Sequence, residues 1–142
     1  MEYNRSPIML TEGIIYMDGV RCFDAVQCEI KFTPDVWEGR LLGEVTPSSR
    51  WKGVKITGTI TRRRSTPWLE DIVKKYMRDK ITPEFTIQGV MNDKNSDYYE
   101  SYGDKITTVV GCVITGDVNL IKIDTNGDVF EDAISFNAKD VL

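Results

Sequence analysis

The residues that could carry out acid–base or metal chemistry are few in this 142-residue chain, and their spacing does not suit that chemistry. There is no histidine, which removes the commonest general base, the commonest metal ligand and every Ser-His or Cys-His dyad. Glu131 and Asp132 are adjacent on a predicted strand, so their carboxylates point to opposite faces and cannot act on one substrate bond. We therefore expect a protein that is not an enzyme and that has no cofactor or metal site.

Two short motifs resemble ligand sites but are more typical of other structures. The run Asp124–Asp128, DTNGD, has its glycine at the fourth position, whereas an EF-hand loop needs it at the sixth, so a hairpin turn is favoured over a calcium site. Arg62, Arg63 and Arg64 form a basic patch, but the acidic isoelectric point of about 4.9 argues against a nucleic-acid interface. An inter-subunit salt bridge or a solvated corner is the better interpretation of this patch.

The three cysteines indicate reduced, buried thiols. Cys22, Cys28 and Cys112 are odd in number and have no Cys-x-x-Cys spacing, which argues against a disulfide framework or a zinc site. No apolar run approaches the length of a membrane span, and no signal peptide opens the chain. We expect synthesis in the cytosol and no membrane anchor.

The elements that position these residues begin with a hairpin between Glu12 and Phe32. Asp18-Gly19 lies between two alternating apolar runs, which is a strong hairpin signal because both turn residues must tolerate a positive φ. The second run, Val20–Phe32, predicts an unusually long strand. In a small domain such a strand must close a barrel, stack on a sheet or reach a neighbouring subunit.

The segment Thr33–Lys52 predicts a long loop, because it contains two prolines, two glycines and no sustained period. Its exposed apolar side chains would be costly on the surface of a monomer, so contact with a partner is favoured over local packing. These side chains are Trp37, Leu41, Leu42 and Trp51.

The remaining pattern predicts a single, mainly β domain over residues 1–142, a β-barrel or sandwich with one flanking α-helix. The helix is predicted over residues 66–79, with Thr66 able to cap it and Pro67 at its first position. Strands are predicted over Gly53–Arg63, Glu84–Asn92, Lys105–Ile123 and Val129–Ala138, with a polar connection over Asp93–Asp104.

Charge is distributed unevenly along the chain. Residues 1–50 carry a net charge of −3, residues 51–80 carry +6 and residues 81–142 carry −7. Complementary charge of this kind could drive association between copies of the chain, but a folded monomer could also neutralise it internally. Charge alone does not decide between the two.

As a set, five motifs resemble the contractile-phage tail tube proteins of the defective-prophage, PBSX-like type, including the inner tubes of R-type phage-tail-like bacteriocins. The resemblance covers about residues 12–138 in the same order. The motifs are the hairpin GIIYMDGV, the strand WKGVKITGTIT, the helix TPWLEDIVKKY, the strand PEFTIQGVMND and the late strand DAISF.

The resemblance implies a structural subunit that forms six-membered rings stacked into a hollow tube inside a contractile sheath. Strands from all six subunits would join into one continuous barrel around the channel. The implied partners are the chain itself, the tail sheath protein, and baseplate and tail-terminator proteins, with DNA in the lumen if the particle is a true phage. The implied location is a released virion or tail-like particle.

The resemblance also assigns roles to segments. The N-terminal arm, residues 1–11, and the loop, residues 33–52, would reach an adjacent ring, with Arg40 joining the four apolar residues as inter-ring candidates. Arg62, Arg63 and Arg64 become candidates for inter-subunit charge pairs. Two polar strand faces would suit a wet channel wall: Lys55, Thr57 and Thr59, and Thr115, Asp117 and Asn119.

A second hypothesis remains open from the residues. A monomeric β-sandwich could bind a carbohydrate, with aromatic side chains as stacking platforms. The candidates for that role are Trp37, Trp51, Tyr98, Tyr99 and Tyr102. A secretion-system tube with the same subunit fold is a third hypothesis.

Overall fold

A computed structural model of the chain describes Arg5, Pro7, Met9 and residues 11–142. The predicted N-terminal arm, residues 1–11, therefore lies mainly outside the described residues. The described part contains eight strands and two helices in one chain order. These are β1 (Gly13–Met17), β2 (Val20–Arg21), β3 (Ala25–Gly39), β4 (Ser48–Arg63), α1 (Trp68–Asp79), β5 (Phe85–Met91), α2 (Asp97–Tyr102), β6 (Lys105–Ile114), β7 (Glu131–Ala138) and β8 (Asp140–Val141).

All eight strands form one antiparallel sheet, in the order β2-β1-β5-β6-β7-β4-β3, with β8 beside β6. Three strands separate β1 from β4 in this order, yet Arg62 of β4 reaches the Met17 sulfur of β1 at 3.7 Å. The sheet must therefore curl over on itself. This confirms the mainly β, barrel-like or sandwich-like fold with a flanking helix.

The core lies inside the curl and is built from alternating positions of the strands. In β7 the alternation is complete, with Asp132, Ile134 and Phe136 buried between exposed neighbours. Phe136 packs edge-on against Phe85 of β5, with ring centroids 5.7 Å apart. The other buried apolar residues are Met17, Cys22, Ile56, Ile60, Leu69, Ile87, Val109 and Cys112.

Helix α1 covers one side of this core but begins differently from the prediction. Pro67 occupies the N-cap position and no side chain caps the helix, so the prediction that Thr66 caps it is wrong. Leu69 is buried and Trp68 packs edge-on against Phe85 with centroids 5.6 Å apart. The first turn of α1 is therefore fixed to the sheet by apolar packing rather than by a capping hydrogen bond.

The opening hairpin forms around the predicted turn. Asp18 and Gly19 both have positive φ, at 52° and 81°, and Met17 pairs with Val20 across them. The long strand does not begin at Val20, however. Residues 22–24 interrupt it with a turn, in which the Ala25 amide donates to the Cys22 carbonyl oxygen at 3.3 Å.

The predicted loop over residues 33–52 is wrong as secondary structure, because most of it lies in two paired strands. Strand β3 continues to Gly39, and β4 starts at Ser48, so only residues 40–47 connect the strands. Pro34 is tolerated because it lies on the outermost strand of the sheet, and a bulge between Asp35 and Val36 adjusts the register. Local proline and glycine signals were overridden by cross-strand pairing.

Two further predicted strands end early. Strand β6 stops at Ile114, and residues 115–130 have no regular structure, so the prediction of a strand to Ile123 is wrong. The final strand begins at Glu131 rather than Val129. Within the predicted polar connection lies the short helix α2, which Ser96 caps by accepting from the Tyr99 amide at 3.2 Å.

Candidate functional site: a hairpin arm and a polar sheet face

The β3–β4 hairpin extends past the core as an arm, formed by residues 32–39, the tip 40–47 and residues 48–55. On its inner face, the strand positions that face the core elsewhere in the sheet continue, but here the described part of the chain leaves them exposed. Four apolar side chains on this face are between 40% and 65% exposed. They are Phe32, Val36, Trp51 and Val54, and the Phe32 and Trp51 rings lie 5.5 Å apart. A contiguous exposed apolar strip is typical of an interaction surface.

The tip of the hairpin arm is an ordered turn that presents apolar side chains to solvent. The Leu41 amide donates to the Glu44 carboxylate at 3.1 Å, and the Glu44 amide donates back to the Leu41 carbonyl oxygen at 3.1 Å. Leu42 and Val45 are almost fully exposed, and Arg40 is also exposed. The inter-ring candidates Arg40, Leu41 and Leu42 therefore share this tip, while Trp37 and Trp51 lie on the strands behind it.

The hairpin arm also carries open strand edges. Within the described part of the chain, β3 pairs with β4 alone, and the β4–β7 pairing ends where Ile56 meets Ala138. Residues 48–55 thus have a strand partner on one side only. Unpaired edges of this length invite pairing with another chain.

The outer face of the sheet beside the hairpin arm is polar across three adjacent strands. Thr57 of β4 lies between Lys31 of β3 and Asn137 of β7, and Thr59 lies between Glu29 and Ser135. Lys55 continues this face toward the arm. The predicted polar face of Lys55, Thr57 and Thr59 is present as one surface.

The second predicted polar face is not a strand face. Thr115 follows β6 and still donates its amide to the Ser135 carbonyl oxygen at 2.9 Å, which keeps it at the border of the polar sheet face. Asp117 and Asn119 lie in the irregular segment beyond it. The pairing of β6 with β7 covers only Val113 and Ile114, and the chain leaves the strand conformation after Ile114.

Arg62 forms a largely buried ion pair inside the chain. Its guanidinium donates to both carboxylate oxygens of Asp24, at 3.0 and 3.2 Å, and lies 5.4 Å from the centre of the Trp68 ring. The side chains of Arg62 and Asp24 are 13% and 5% exposed. Burial by itself raises the pKa of Asp24, but hydrogen bonds from Arg62, Ser65 and Cys22 and the charge of Arg62 bring that pKa below its usual value.

Arg64 forms a second internal pair. It binds both oxygens of Asp132 at 2.8 and 2.9 Å, stacks on Phe130 at 4.1 Å, and donates to the carbonyl oxygens of Asn119 and Leu120 at 2.6 and 3.3 Å. Hydrogen bonds to Asp132 raise the pKa of Arg64. Arg64 therefore fixes the start of the irregular segment to the sheet.

These pairs change the interpretation of the arginine triplet. Arg62 and Arg64 are largely buried in pairs with acidic residues of the same chain, so the expected inter-subunit pairing stays a prediction for Arg63 alone. Arg63 is exposed and lies 3.5 Å from Glu131. Sequence reasoning missed Asp24 and Asp132, although Asp132 alternates in step with the buried Ile134 and Phe136, and an acidic residue at such a position signals a buried cationic partner.

The cysteines are reduced and face the interior, as expected. Cys22 and Cys112 are buried and Cys28 is half-buried. Burial is the main cause that raises the pKa of each thiol to about 11. At neutral pH the thiolate, which is the reactive form, is scarce at all three positions.

The features that suggested ligand binding belong to separate elements. Trp37 and Trp51 lie on the hairpin arm, whereas Tyr98 and Tyr102 stack on each other in α2 with centroids 4.9 Å apart, beside Tyr99. Asp124–Gly127 forms a turn in which Asp124 accepts from the Asn126 amide at 2.9 Å. Among the residues that the structure describes, no group of three or more acidic, cysteine or histidine side chains could hold a metal.

A cavity of about 210 Å³ lies where β4 outruns β7. It is bordered by Lys55, Asn137 and Lys139, next to the open edge of the hairpin arm.

In the described residues, neither helix is long and apolar enough to cross a membrane.

The sequence model of a family described as phage tail tube protein matches residues 4–141 of this chain. The chain belongs to the phage tail tube protein family. This is the family type that the collinear motifs resemble. A comparison with curated protein sequences found no match.

Chains in three solved contractile assemblies share the fold. The chain is similar to a chain in the sheath/tube terminator of an extracellular contractile injection system, PVC, in the extended state, with a TM-score of 0.69, 13% identity and coverage of 100% of this chain and 97% of that chain. It is also similar to a chain in the PVC sheath-tube complex, with a TM-score of 0.66, 13% identity and coverage of 100% and 92%. A chain in the baseplate of the anti-feeding prophage matches with a TM-score of 0.57, 12% identity and coverage of 92% and 89%.

Proposed function

We propose that this phage tail tube protein is the structural subunit of the inner tube of a contractile tail, in a phage or a phage-tail-like bacteriocin. It assembles as six-membered rings that stack around a central channel. The observation that carries the proposal is the hairpin arm, which leaves the core with an exposed apolar strip and open strand edges. A monomer in solution would leave both uncovered.

The hairpin arm supports the joining of strands between subunits. An antiparallel neighbour strand along residues 48–55 or along β3 would satisfy the unpaired backbone groups of those edges. Repeating that pairing six times removes every such edge and produces one continuous barrel. The contact uses two different surfaces of the subunit, as a head-to-tail ring requires.

The polar sheet face supports a water-filled channel. Lys55, Thr57 and Thr59 project from the side of the sheet opposite the core, and Thr115 borders them. Placed on the inside of the ring, these residues line the lumen. If the particle is a true phage, DNA passes along this wall.

The tip of the hairpin arm supports stacking of the rings. Leu41 and Leu42 are exposed apolar side chains on an ordered turn, which can enter an apolar site on the adjacent ring. The N-terminal arm, residues 1–11, is proposed to make a second contact between rings. The role is mechanical and non-enzymatic, since the tube stays rigid while a sheath contracts.

The partners follow from the same role. They are the tail sheath protein around the tube, and baseplate and tail-terminator proteins at its two ends. The similar solved chains come from a sheath-tube complex, a sheath/tube terminator and a baseplate, which supports this set. The subunit is made in the bacterial cytoplasm and leaves the cell in the finished virion or tail-like particle.

Substitution of the tip tests the proposed stacking. In the variant Leu41→Ser/Leu42→Ser we expect a folded subunit whose stability changes by about 0.5 kcal/mol or less, because both side chains are in solvent. Electron microscopy should show rings without long tubes. The matched control is Ile106→Ser, an exposed apolar position on β6, which should form tubes as the unmodified protein does. Tubes of normal length from the tip variant would overturn the role of the tip.

A further inference from the structure

The second half of α1 is an uncovered amphipathic surface. Residues 74–81, the basic helix end, hold four basic side chains and one acidic side chain. Their apolar side chains, Tyr76, Met77 and Ile81, are between 42% and 72% exposed. In the described part of the chain, Lys74 and Lys75 have no acidic partner within 4.0 Å.

The segment that follows β6 has the complementary character. Residues 117–129, the acidic loop, hold three acidic side chains and one basic side chain. Four apolar side chains in it are between 47% and 92% exposed, which is unusual for an otherwise irregular segment. They are Leu120, Ile121, Ile123 and Val129.

The two surfaces start close together in one subunit but do not cover each other. Arg64 holds the carbonyl oxygens of Asn119 and Leu120 and lies 3.6 Å from Glu70, in the first turn of α1. From Glu70 to Lys80 the helix rises about 15 Å, at about 1.5 Å per residue. Both surfaces stay exposed within their own chain, so both are available to another molecule.

We infer that the basic helix end of one copy docks on the acidic loop of a second copy. The two surfaces have opposite net charge, and each also exposes apolar side chains that the other could cover. The contact joins two different surfaces and therefore repeats from copy to copy, as ring or tube growth requires. The inference rests on the proposed function, since it takes the occupant to be a second copy of this chain.

Charge reversal with rescue tests this contact on the full chain. Lys74→Glu/Lys75→Glu should reduce the sedimenting, assembled fraction by about tenfold or more at low salt, because like charges then face each other. Asp117→Lys/Asp128→Lys should do the same. Both positions are exposed and neither carboxylate accepts a described hydrogen bond, so folding should persist, as circular dichroism can check. All four changes in one chain should restore assembly to the level of the unmodified protein.

A control variant has the same net charge as the four-change chain, but its two added lysines lie outside the acidic loop. Lys74→Glu/Lys75→Glu combined with Glu12→Lys/Asp104→Lys, both exposed positions, should not restore assembly. Rescue by this control, failure of the four-change chain to assemble, or normal assembly of the helix variant would each overturn the inference. An unmodified protein that forms no rings or tubes contradicts the proposed function instead, so the two failures are distinguishable.

A cross-linking measurement does not depend on charge. Met77→Cys combined with Ile121→Cys should give disulfide-linked oligomers when the assembled protein is oxidised, whereas either change alone should give none. The native cysteines should not compete for disulfide formation, since they face the interior and the pKa values of their thiols are raised to about 11. Absence of cross-links from the assembled double variant would contradict the proposed pairing of surfaces.

Discussion

At the scale of single residues, two arginines that looked suited to contacts between subunits stabilise the subunit itself. Arg62 ties Asp24, between β2 and β3, to β4, and Arg64 ties Asp132 of β7 to the irregular segment. Sequence alone could identify the charge cluster but not its partners, because Asp24 and Arg62 are 38 residues apart and meet through the pairing of β3 with β4, in which Ala25 lies opposite Arg62. Which acidic residue each arginine binds therefore depends on how the strands pair in the sheet.

The Asp24–Arg62 pair gives a prediction for stability and pH. Arg62→Ala should lower the free energy of unfolding by about 3 kcal/mol, since it leaves a buried carboxylate without its cation. Because the folded-state pKa of Asp24 is below its unfolded value of about 3.9, the stabilisation is fully present above about pH 4 and is lost as pH falls through the folded-state pKa. Urea unfolding of the dilute subunit at pH 7 and at pH 3 measures both effects.

The control for that prediction is the neighbouring exposed arginine. Arg63→Ala removes a surface pair with Glu131 and should change the free energy of unfolding by about 1 kcal/mol or less. Equal losses from the Arg62 and Arg63 variants would show that the buried pair has no special role. A deficit in the Arg62 variant that did not shrink at acidic pH would contradict the role of the Asp24 charge.

At the scale of elements, local signals predicted turns and the helix better than they predicted strand length. The Asp18-Gly19 turn and the helix over Trp68–Asp79 depend on residues close in sequence. The extent of β3 and β6 depends on distant partners. β3 continues through Pro34 because β4 pairs with it, and β6 ends at Ile114, where its pairing with β7 stops.

Gly58 gives a prediction at this scale, because it marks where β4 passes closest to the core. A Cβ there would lie 2.6 Å from the Phe136 ring and 2.9 Å from the Glu29 carbonyl oxygen. Gly58→Ala should therefore lower the free energy of unfolding by about 1–3 kcal/mol through overpacking, as thermal or urea unfolding would show. In Gly89→Ala, the added Cβ meets only Ile15 at an ordinary 3.7 Å, so its stability should change by less than about 1 kcal/mol.

At the scale of the whole molecule, the unevenly distributed charges of the sequence divide into those in internal ion pairs and those exposed on the surface. Part of the excess positive charge of residues 51–80 is used inside the subunit, at Arg62 and Arg64. A further part lies on the exposed end of α1, and the negative excess of residues 81–142 includes the acidic loop. Internal neutralisation therefore applies to Arg62 and Arg64, whereas self-association through the exposed charges stays a prediction.

The candidate assembly surfaces were predictable from the sequence only in part. Polar alternation in β4 indicated the face of Lys55, Thr57 and Thr59 correctly, and apolar residues without a period indicated Leu41 and Leu42 as exposed. The hairpin arm as a whole was not predictable, because its strands have their apolar face outside the core. Such a face resembles a loop in a sequence pattern, and cross-strand pairs such as Phe32 and Trp51 help to stabilise it as a strand pair.

Electron microscopy of the purified full chain, with symmetry determined from the images, tests the central claim most directly. The account predicts rings of six subunits that stack into a tube with a hollow, continuous channel, with the hairpin arms forming its wall. A monodisperse monomer under every condition that promotes assembly, or an assembly with no open channel, would contradict it.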